Sequence, residues 1–290
     1  MAREKDTAAH LKETSLLFEC DIFNKTVPED LRALRNFSQL YQPEKPAYAP
    51  YRFLYYDTIN STNDTAKAGD YPHGTVIIAN AQDKGRGRGL RHWHSPPGVN
   101  ISMSIVLKPD EEIPALSLMN TATSLAVSRA LGAATTLDVW PKWPNDIYIG
   151  AKKVGGILSE TLISGGMVRR LVVGIGVNVN TAEFPAELRD KATSLFIESG
   201  AMYDRGQLIA SILREFDQCR ALSSTHLISE WTALSKTINS YVYVSGADGK
   251  VVQPGGTARA LNEDGSLVVE LEAGIIATVT SGEVTNAPCH

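Results

Sequence analysis

Three apolar segments, Val139–Ile149, Val154–Leu162 and Val168–Asn178, follow one another with only four or five residues between them. A parallel pair of strands needs a crossover of about a dozen residues or more, so links this short force neighbouring strands to run antiparallel. Gly150-Ala-Lys-Lys153 reads as the first hairpin turn. Upstream, Arg52–Asp57 reads as a strand, Ser61-Thr-Asn-Asp64 as the N-cap of a short helix stopping at Gly69, and Thr75–Ala81 and Asn100–Leu107 as two more strands. Pro114 opens a helix to about Leu131 with Leu118, Ala122 and Leu125 facing inward, and Arg205–Leu222 and Leu227–Leu234 carry helical apolar spacing.

From Thr237 the chain changes character to short strands, Tyr241–Ser245, Gly256–Leu261, Leu267–Leu271 and Ile275–Val279, separated by turns such as Asp248-Gly249 and Asp264-Gly265. That pattern predicts a small β-barrel. The expected organisation is α+β, with an N-terminal extension over residues 1–50, a main domain over 51–236 and a small β domain over 237–290. The extension offers one clear helix at Pro28–Tyr41, where Thr26 and Glu29 fit a capping box and Leu31, Leu34, Phe37 and Leu40 share a face; a weaker second pattern spans Thr7–Phe18.

Composition narrows the classes. A chain of 290 residues with 43% hydrophobic residues can bury a full core. No run reaches 18 apolar residues, which excludes a spanning helix. The first 25 residues mix acidic and basic side chains, unlike a signal or transit peptide, so the expectation is a cytoplasmic protein that avoids membranes. Cys20, Cys219 and Cys289 are scattered without metal-ligand spacing, which predicts neither disulfides nor a protein metal site. The net charge of −4 gives no global attraction for nucleic acid.

One segment breaks that charge balance. Lys84 to Pro109 holds five Lys or Arg residues and no Asp or Glu, and within it lies Gly85-Arg-Gly-Arg-Gly-Leu-Arg-His-Trp-His-Ser-Pro-Pro-Gly98. Glycines let backbone N–H groups approach an anion closely, and Arg86, Arg88 and Arg91 supply forked donors for phosphate oxygens. Leu90 stands where a dinucleotide fingerprint needs its third glycine, and no P-loop sequence occurs anywhere. An RGG-like RNA-binding tract would repeat, whereas this one occurs once between strands. Lys142-Trp-Pro-Asn-Asp146 places a cation, an aromatic, an amide and a carboxylate at a strand end, where Pro144 denies a ladder hydrogen bond and turns Asn145 and Asp146 toward a cleft. Lys153-Val-Gly-Gly-Ile-Leu-Ser-Glu160 and Gly174-Ile-Gly-Val-Asn-Val-Asn180 put glycines inside strands, a sign of close approach by a ligand or another backbone.

Ser61-Thr-Asn63, Gln82 with Gly85-Arg-Gly-Arg88, Trp93-His-Ser-Pro96, Lys142-Trp-Pro-Asn-Asp146, Gly155-Gly-Ile-Leu158 and Gly174-Ile-Gly-Val-Asn178 occur in the order seen in biotin protein ligases, and this chain resembles that family over about residues 52–286. The resemblance implies a catalytic domain like the class II aminoacyl-tRNA synthetases, with a mixed, largely antiparallel sheet, plus a C-terminal SH3-like barrel. It implies an ATP-dependent biotin–[acetyl-CoA-carboxylase] ligase. Such an enzyme adenylates biotin to biotinoyl-5′-AMP with Mg²⁺ on the phosphates, then transfers biotin to a lysine on a carboxylase's biotin carrier domain. It further implies that Arg86, Arg88, Lys142, Asp146 and Lys153 carry catalysis. Ser61, Thr62, Gln82, Gly85, Gly155 and Gly156 would bind biotin, aided by Arg86, Arg88 and Lys142. Arg91, Trp93, Asn145 and Asn178 would serve the nucleotide, with Lys153.

Two anions brought to 4 Å at an effective dielectric of 20 repel by about 4 kcal/mol, which explains why such a site needs this many cations. Alternatives are a lipoate–protein ligase and a catalytically silent biotin-binding protein. Family members that also repress transcription carry a winged helix-turn-helix, for which residues 1–50 lack the helices and the basic recognition surface, so the type without a repressor domain is expected. No specific nucleic acid is expected, and the oligomeric state stays open between monomer and homodimer.

Overall fold

Parallel pairing enters this sheet at a single place, through a strand–helix–strand unit at its edge. The computed structural model describes residues 27–37, 51–89, 91–108, 116–246 and 251–286. The pattern at Thr7–Phe18, Thr26, Leu40, Pro114, Cys20, Cys289 and the Asp248-Gly249 turn lie outside the described residues. Strand β1 (Arg52–Ile59) leads through helix α1 (Thr62–Ala68) to β2 (Thr75–Gln82), which pairs parallel to β1 from Arg52↔Thr75 to Ile59↔Gln82. Ser61 caps α1 by accepting from the Asp64 N–H, and the Gly69 N–H closes the last turn on the Thr65 carbonyl.

The remaining strands are β3 (Ile101–Leu107), β4 (Val139–Lys142), β5 (Asp146–Ile149), β6 (Lys152–Ser164) and β7 (Met167–Val177). The seven-stranded sheet runs β1-β2-β3-β7-β6-β5-β4, antiparallel beyond the first pair. Val139–Ile149 is not the single strand expected: it folds back on itself as the β4–β5 hairpin at Trp143-Pro144-Asn145, where the peptide bond before Pro144 is cis. Proline has no N–H to give a ladder, so the chain turns where a continuous strand would lose its pairing.

Helices α2 (Leu116–Thr135), α4 (Arg205–Arg220) and α5 (Ser224–Leu234) cover one face, with Leu125, Leu131, Ile212, Phe216 and Trp231 in the same core as Ile105, Ile147 and Ile175. A short helix α3 (Leu195–Ser199), capped by Ser194, carries too few residues to have shown a helical period. The other face holds α1, whose Ala66 packs on Ile77, Val106 and Val172. Among the described residues no helix is long and apolar enough to cross a membrane.

A second, antiparallel sheet follows, built from β8 (Tyr241–Ser245), β9 (Val251–Leu261), β10 (Leu267–Leu271), β11 (Ile276–Val279) and β12 (Glu283–Asn286), in the order β11-β10-β9-β8-β12. The last strand had no counterpart in the sequence reading. The sheet does not stand apart, since Val242, Val244, Ala258 and Leu267 belong to the same continuous core as the main sheet. The buried Trp143 indole also donates to the Gly265 carbonyl at 3.1 Å.

Residues 27–37 are likewise built into the body. They form a 3₁₀ helix over Glu29–Asn36, more tightly wound than the α-helix expected there, with Pro28 at its start and no side-chain cap; the rest of the expected helix, to Tyr41, lies outside the described residues. Val27, Leu31, Leu34 and Phe37 are buried, and Phe37 meets Tyr51 and Phe53 edge-on at 5.9 and 5.4 Å. Arg205, buried at the start of α4, grips Asp30 with its fork, Nε to Oδ2 at 2.6 Å and Nη2 to Oδ1 at 2.9 Å. Burial works to raise the Asp30 pKa, but the hydrogen bond and charge of Arg205 outweigh it and hold the carboxyl below its ordinary 3.8. The stabilisation is therefore complete above pH 3.8 and is lost as pH falls through the depressed folded value. Replacing Asp30 by Asn strands a buried guanidinium and is expected to cost about 3 kcal/mol in urea denaturation at neutral pH, with the difference from wild type shrinking in acid.

Candidate functional site

Strand register is what assembles the site. In an antiparallel ladder, paired residues point to the same face. The pairs Ala79↔Ser102, Ser102↔Gly176, Gly176↔Gly156, Gly156↔Asp146 and Asp146↔Lys142 form one transverse row from β2 to β4. The neighbouring row joins Ser104, Gly174 and Leu158. Residues up to 97 positions apart, Ala79 and Gly176, thereby share one surface, on the α1 side of the sheet. A cavity of about 620 Å³ opens over it, bounded by α1, the Gly85–Trp93 loop and residues 281–284 of the second sheet.

Two glycines make room in these rows. A Cβ on Gly174 would come within 2.2 Å of Asn63 Oδ1, and one on Gly176 within 2.6 Å of the Trp93 indole. Asn63 and Trp93 therefore lie directly on sheet backbone, an approach that any larger residue would block. Asn63 is held there by Ser104, whose Oγ donates to Asn63 Oδ1 at 2.6 Å. At the N-terminus of α1, the Thr62 backbone N–H donates to Gln82 Oε1 at 2.8 Å, joining two predicted residues at the end of β2.

The arginines of the loop are fastened at two ends. Arg86 reaches Glu160 at 2.5 Å and Asp64 at 2.9 Å. Arg88 donates to Asn145 Oδ1 at 3.3 Å and to the Gly282 carbonyl at 2.9 Å, and Arg91 forms a two-pronged pair with Glu283 on β12. Glu283 raises the Arg91 pKa by hydrogen bond and charge. The turn closes on itself through Trp93 N–H to Gly85 O and Gly87 N–H to Arg91 O, both 2.8 Å. Lys153 pairs with Asp146 at 2.6 Å and sits 5.6 Å above the Trp93 ring.

Ser61, Thr62, Gln82, Arg86, Arg88, Arg91, Trp93, Asn145, Asp146, Lys153, Gly156 and Asn178 all line the cavity. Three predicted residues stand outside the lining. Gly85 abuts the Trp93 carbonyl and Gly155 abuts Gly176 O and Ile147, so both serve backbone packing. Lys142 lies behind Tyr148, its ammonium 3.4 Å from the phenol oxygen and 4.5 Å over the ring, while Tyr148 itself faces the cavity. Burial pushes the Lys142 pKa down, against the pull of Asp146 and Glu283. Asn145 is oriented by its Nδ2, which donates to Ile157 O at 2.6 Å, and Asn178 by Nδ2 to Thr193 O at 3.0 Å. Sequence reasoning assigned no role to Glu160, Glu283, Tyr148 or Asn63, though it quoted Glu160 and Asn63 within motifs. The first two carry no local signal, being carboxylates on strands that only the fold sets beside arginines.

Known proteins resemble this chain in sequence and fold. Residues 55–178 match the model of the biotin/lipoate A/B protein ligase family. The bifunctional ligase/repressor BirA of Bacillus spizizenii is 36% identical over 231 residues, covering 77% of this chain and 70% of the relative. The biotin–[acetyl-CoA-carboxylase] ligase of Mycobacterium tuberculosis is 31% identical over 221 residues, covering 73% of this chain and 79% of the relative. Among solved structures, the biotin protein ligase from Aquifex aeolicus in complex with biotin and ATP superposes with a TM-score of 0.72 at 30% identity, over 82% of this chain and 99% of that one. A likeness in sequence and fold that reaches across most of both chains leaves one conclusion, that this chain belongs to the biotin protein ligase family.

Proposed function

We propose that this enzyme adenylates biotin with ATP to biotinoyl-5′-AMP and transfers the biotinoyl group to a lysine of a carboxylase's biotin carrier domain, in the cytoplasm. The observation that carries the reading is a cavity in which the predicted biotin and nucleotide motifs meet under an arginine-rich loop. In the first step a biotin carboxylate oxygen attacks the α-phosphorus, and pyrophosphate leaves with the electron pair of the broken P–O bond. In the second, the lysine amine attacks the acyl carbon and loses its proton, and AMP leaves with the electron pair of the C–O bond.

Ser61, Thr62, Gln82 and Gly156 serve the biotin end, with Gly85 and Gly155 shaping its wall from behind. Trp93, Arg91, Asn145 and Asn178 serve the nucleotide. Lys142, Lys153, Arg86 and Arg88 offset the repulsion between carboxylate and phosphate, and Asp146 orients the incoming lysine. Two of these four cations are already held by carboxylates: Lys153 by Asp146, where an arriving anion exchanges partners with the carboxylate instead of meeting a bare charge, and Arg86 by Glu160, which keeps it in place. Lys142 reaches the reacting atoms by leaving Tyr148.

The carboxylates lining the cavity, Asp146 and Glu283, are each engaged by a cation, and among the described residues no three potential metal ligands converge. Such a site suits Mg²⁺ that arrives on the nucleotide's phosphates and keeps phosphate and water oxygens as its ligands, with Asp146 able to contribute an oxygen only by giving up Lys153. The ion would supply charge neutralisation at the phosphates. In fold terms the reading is a class II synthetase-like domain over about residues 51–236 with an SH3-like module over 237–290, which braces the loop through Gly282 and Glu283.

Incubation with labelled biotin, ATP and a carrier domain, followed by denaturing electrophoresis, is expected to leave label on the carrier. Unlabelled carrier with tight biotin binding would point to a silent binding protein, and label from lipoate alone to the lipoate enzyme.

Arg88→Gly removes both hydrogen bonds that tie the loop to Asn145 and Gly282. Charged hydrogen bonds are worth about 1.5–3 kcal/mol each, so free biotinoyl-adenylate should escape at least about tenfold faster. Rapid filtration of enzyme loaded with the adenylate measures this; an unchanged release rate would refute a role for the loop in retaining the adenylate. Lys142→Ala should lower biotin-dependent pyrophosphate exchange by about 10²-fold, the size of loss seen when one donor to developing charge is deleted. Near-normal exchange would remove Lys142 from the reaction.

A further inference from the structure

Among the described residues, Glu160 is the one acidic group of the main sheet that forms an ion pair with the loop, and no step of the reaction uses it. It lies on β6, on the same face as Gly156 and Leu158, and its register partner is Val172. Its side chain is mostly buried. Three donors converge on it: Asn63 Nδ2 at 2.8 Å, Lys67 Nζ at 2.8 Å and Arg86 Nη2 at 2.5 Å. Asp64 completes the group, 2.9 Å from Arg86 and 3.3 Å from Lys67, so two cations face two carboxylates with no net charge.

An exposed ion pair contributes about 0–1 kcal/mol because two long side chains must be ordered to make it. That cost is already met for Glu160. Asn63, one of its partners, is locked on Gly174 by Ser104 and by its own bond to Leu158 O at 3.0 Å. Burial works to raise the Glu160 pKa, but Lys67, Asn63 and Arg86 outweigh it, so the carboxylate stays ionised at neutral pH. Arg86 in turn sits in the backbone pairing that closes the loop, opposite His92.

We propose, building on the reading of the cavity as a biotin-activating site, that Glu160 is a positioning residue which anchors Arg86 and so fixes the loop over the biotin end, as Gly282 and Glu283 anchor its nucleotide end. It acts through Arg86 and does not touch substrate. The two anchors lie on different sheets, so the loop is drawn across the cavity from both sides.

Limited trypsin digestion of the full, unliganded chain tests the anchor, because cleavage after Arg88 and Arg91 reports loop opening directly. Glu160→Gln is expected to speed that cleavage by about tenfold and Arg86→Gln, which also loses Asp64, by at least as much, with the double variant no faster than Arg86→Gln alone, since Glu160 acts through Arg86. In Glu160→Gln the KM for biotin should rise by about tenfold with a smaller change in kcat, a split that general destabilisation would not produce. Wild-type cleavage rates in Glu160→Gln, or effects that multiply in the double variant, would overturn the anchor. If Glu160→Gln is poorly folded by circular dichroism, the surface change Arg86→Gln decides alone: unchanged cleavage overturns the proposal and faster cleavage supports it. The digestion needs no substrate, so a wild-type chain that fails to ligate biotin sinks the functional reading without touching this result.

Discussion

The pairing of β6 with β7, Gly156 opposite Gly176 and Leu158 opposite Gly174, is the constraint on which the site rests. It leaves β7 without a side chain at Gly174 and Gly176, the points where Asn63 and Trp93 lie, and β6 without one at Gly156 beside Trp93. A slip of one residue would turn Ile157 and Ile175, which belong to the core, out into the cavity and the glycines into the core. The apolar side chains on the helix-covered face therefore specify the register, and the register in turn specifies the surface that faces the cavity. Stability and chemistry share one set of hydrogen bonds.

The second dependence is electrostatic. A cavity intended for two anions is lined by cations that would repel one another when it is empty. Here the pairings of Lys153 with Asp146, Arg86 with Glu160 and Asp64, and Arg91 with Glu283 keep that charge balanced. They also order long side chains in advance, so less conformational entropy is lost when a ligand arrives. Arg91 and Arg88 draw the second sheet into this balance, which gives it a part in the cavity despite holding none of the motifs.

The second sheet and residues 27–37 show how far local patterns can mislead about independence. A run of short strands after Lys236 looks like a separable unit, and a single amphipathic turn before Tyr51 looks like an appendage. Yet Trp143 reaches into the second sheet to bond Gly265, and Arg205 reaches back to hold Asp30. Each attachment is one long-range pair whose members look unremarkable in their own neighbourhoods. The period of a strand or helix reveals which face is apolar, but not which other face will cover it.

The sequence by itself determined the elements and the chemistry. Alternating apolar runs with short links dictated antiparallel strands, Ser61 and Gly69 bounded α1, and the GRGR and KWPND segments carried enough specific chemistry to identify a family from residues alone. Pro144 was read as an obstacle to a ladder, although the hairpin it marks was not drawn from it. Only the tertiary structure decided that Glu160 and Glu283 hold the two ends of the loop, that Lys142 rests behind Tyr148, and that Gly85 and Gly155 pack against backbone instead of facing the cavity. The physical reason is range. Capping, turns and periodicity act over a few residues and leave marks in the local sequence, whereas an ion pair spanning 192 positions is created by strand register and leaves none.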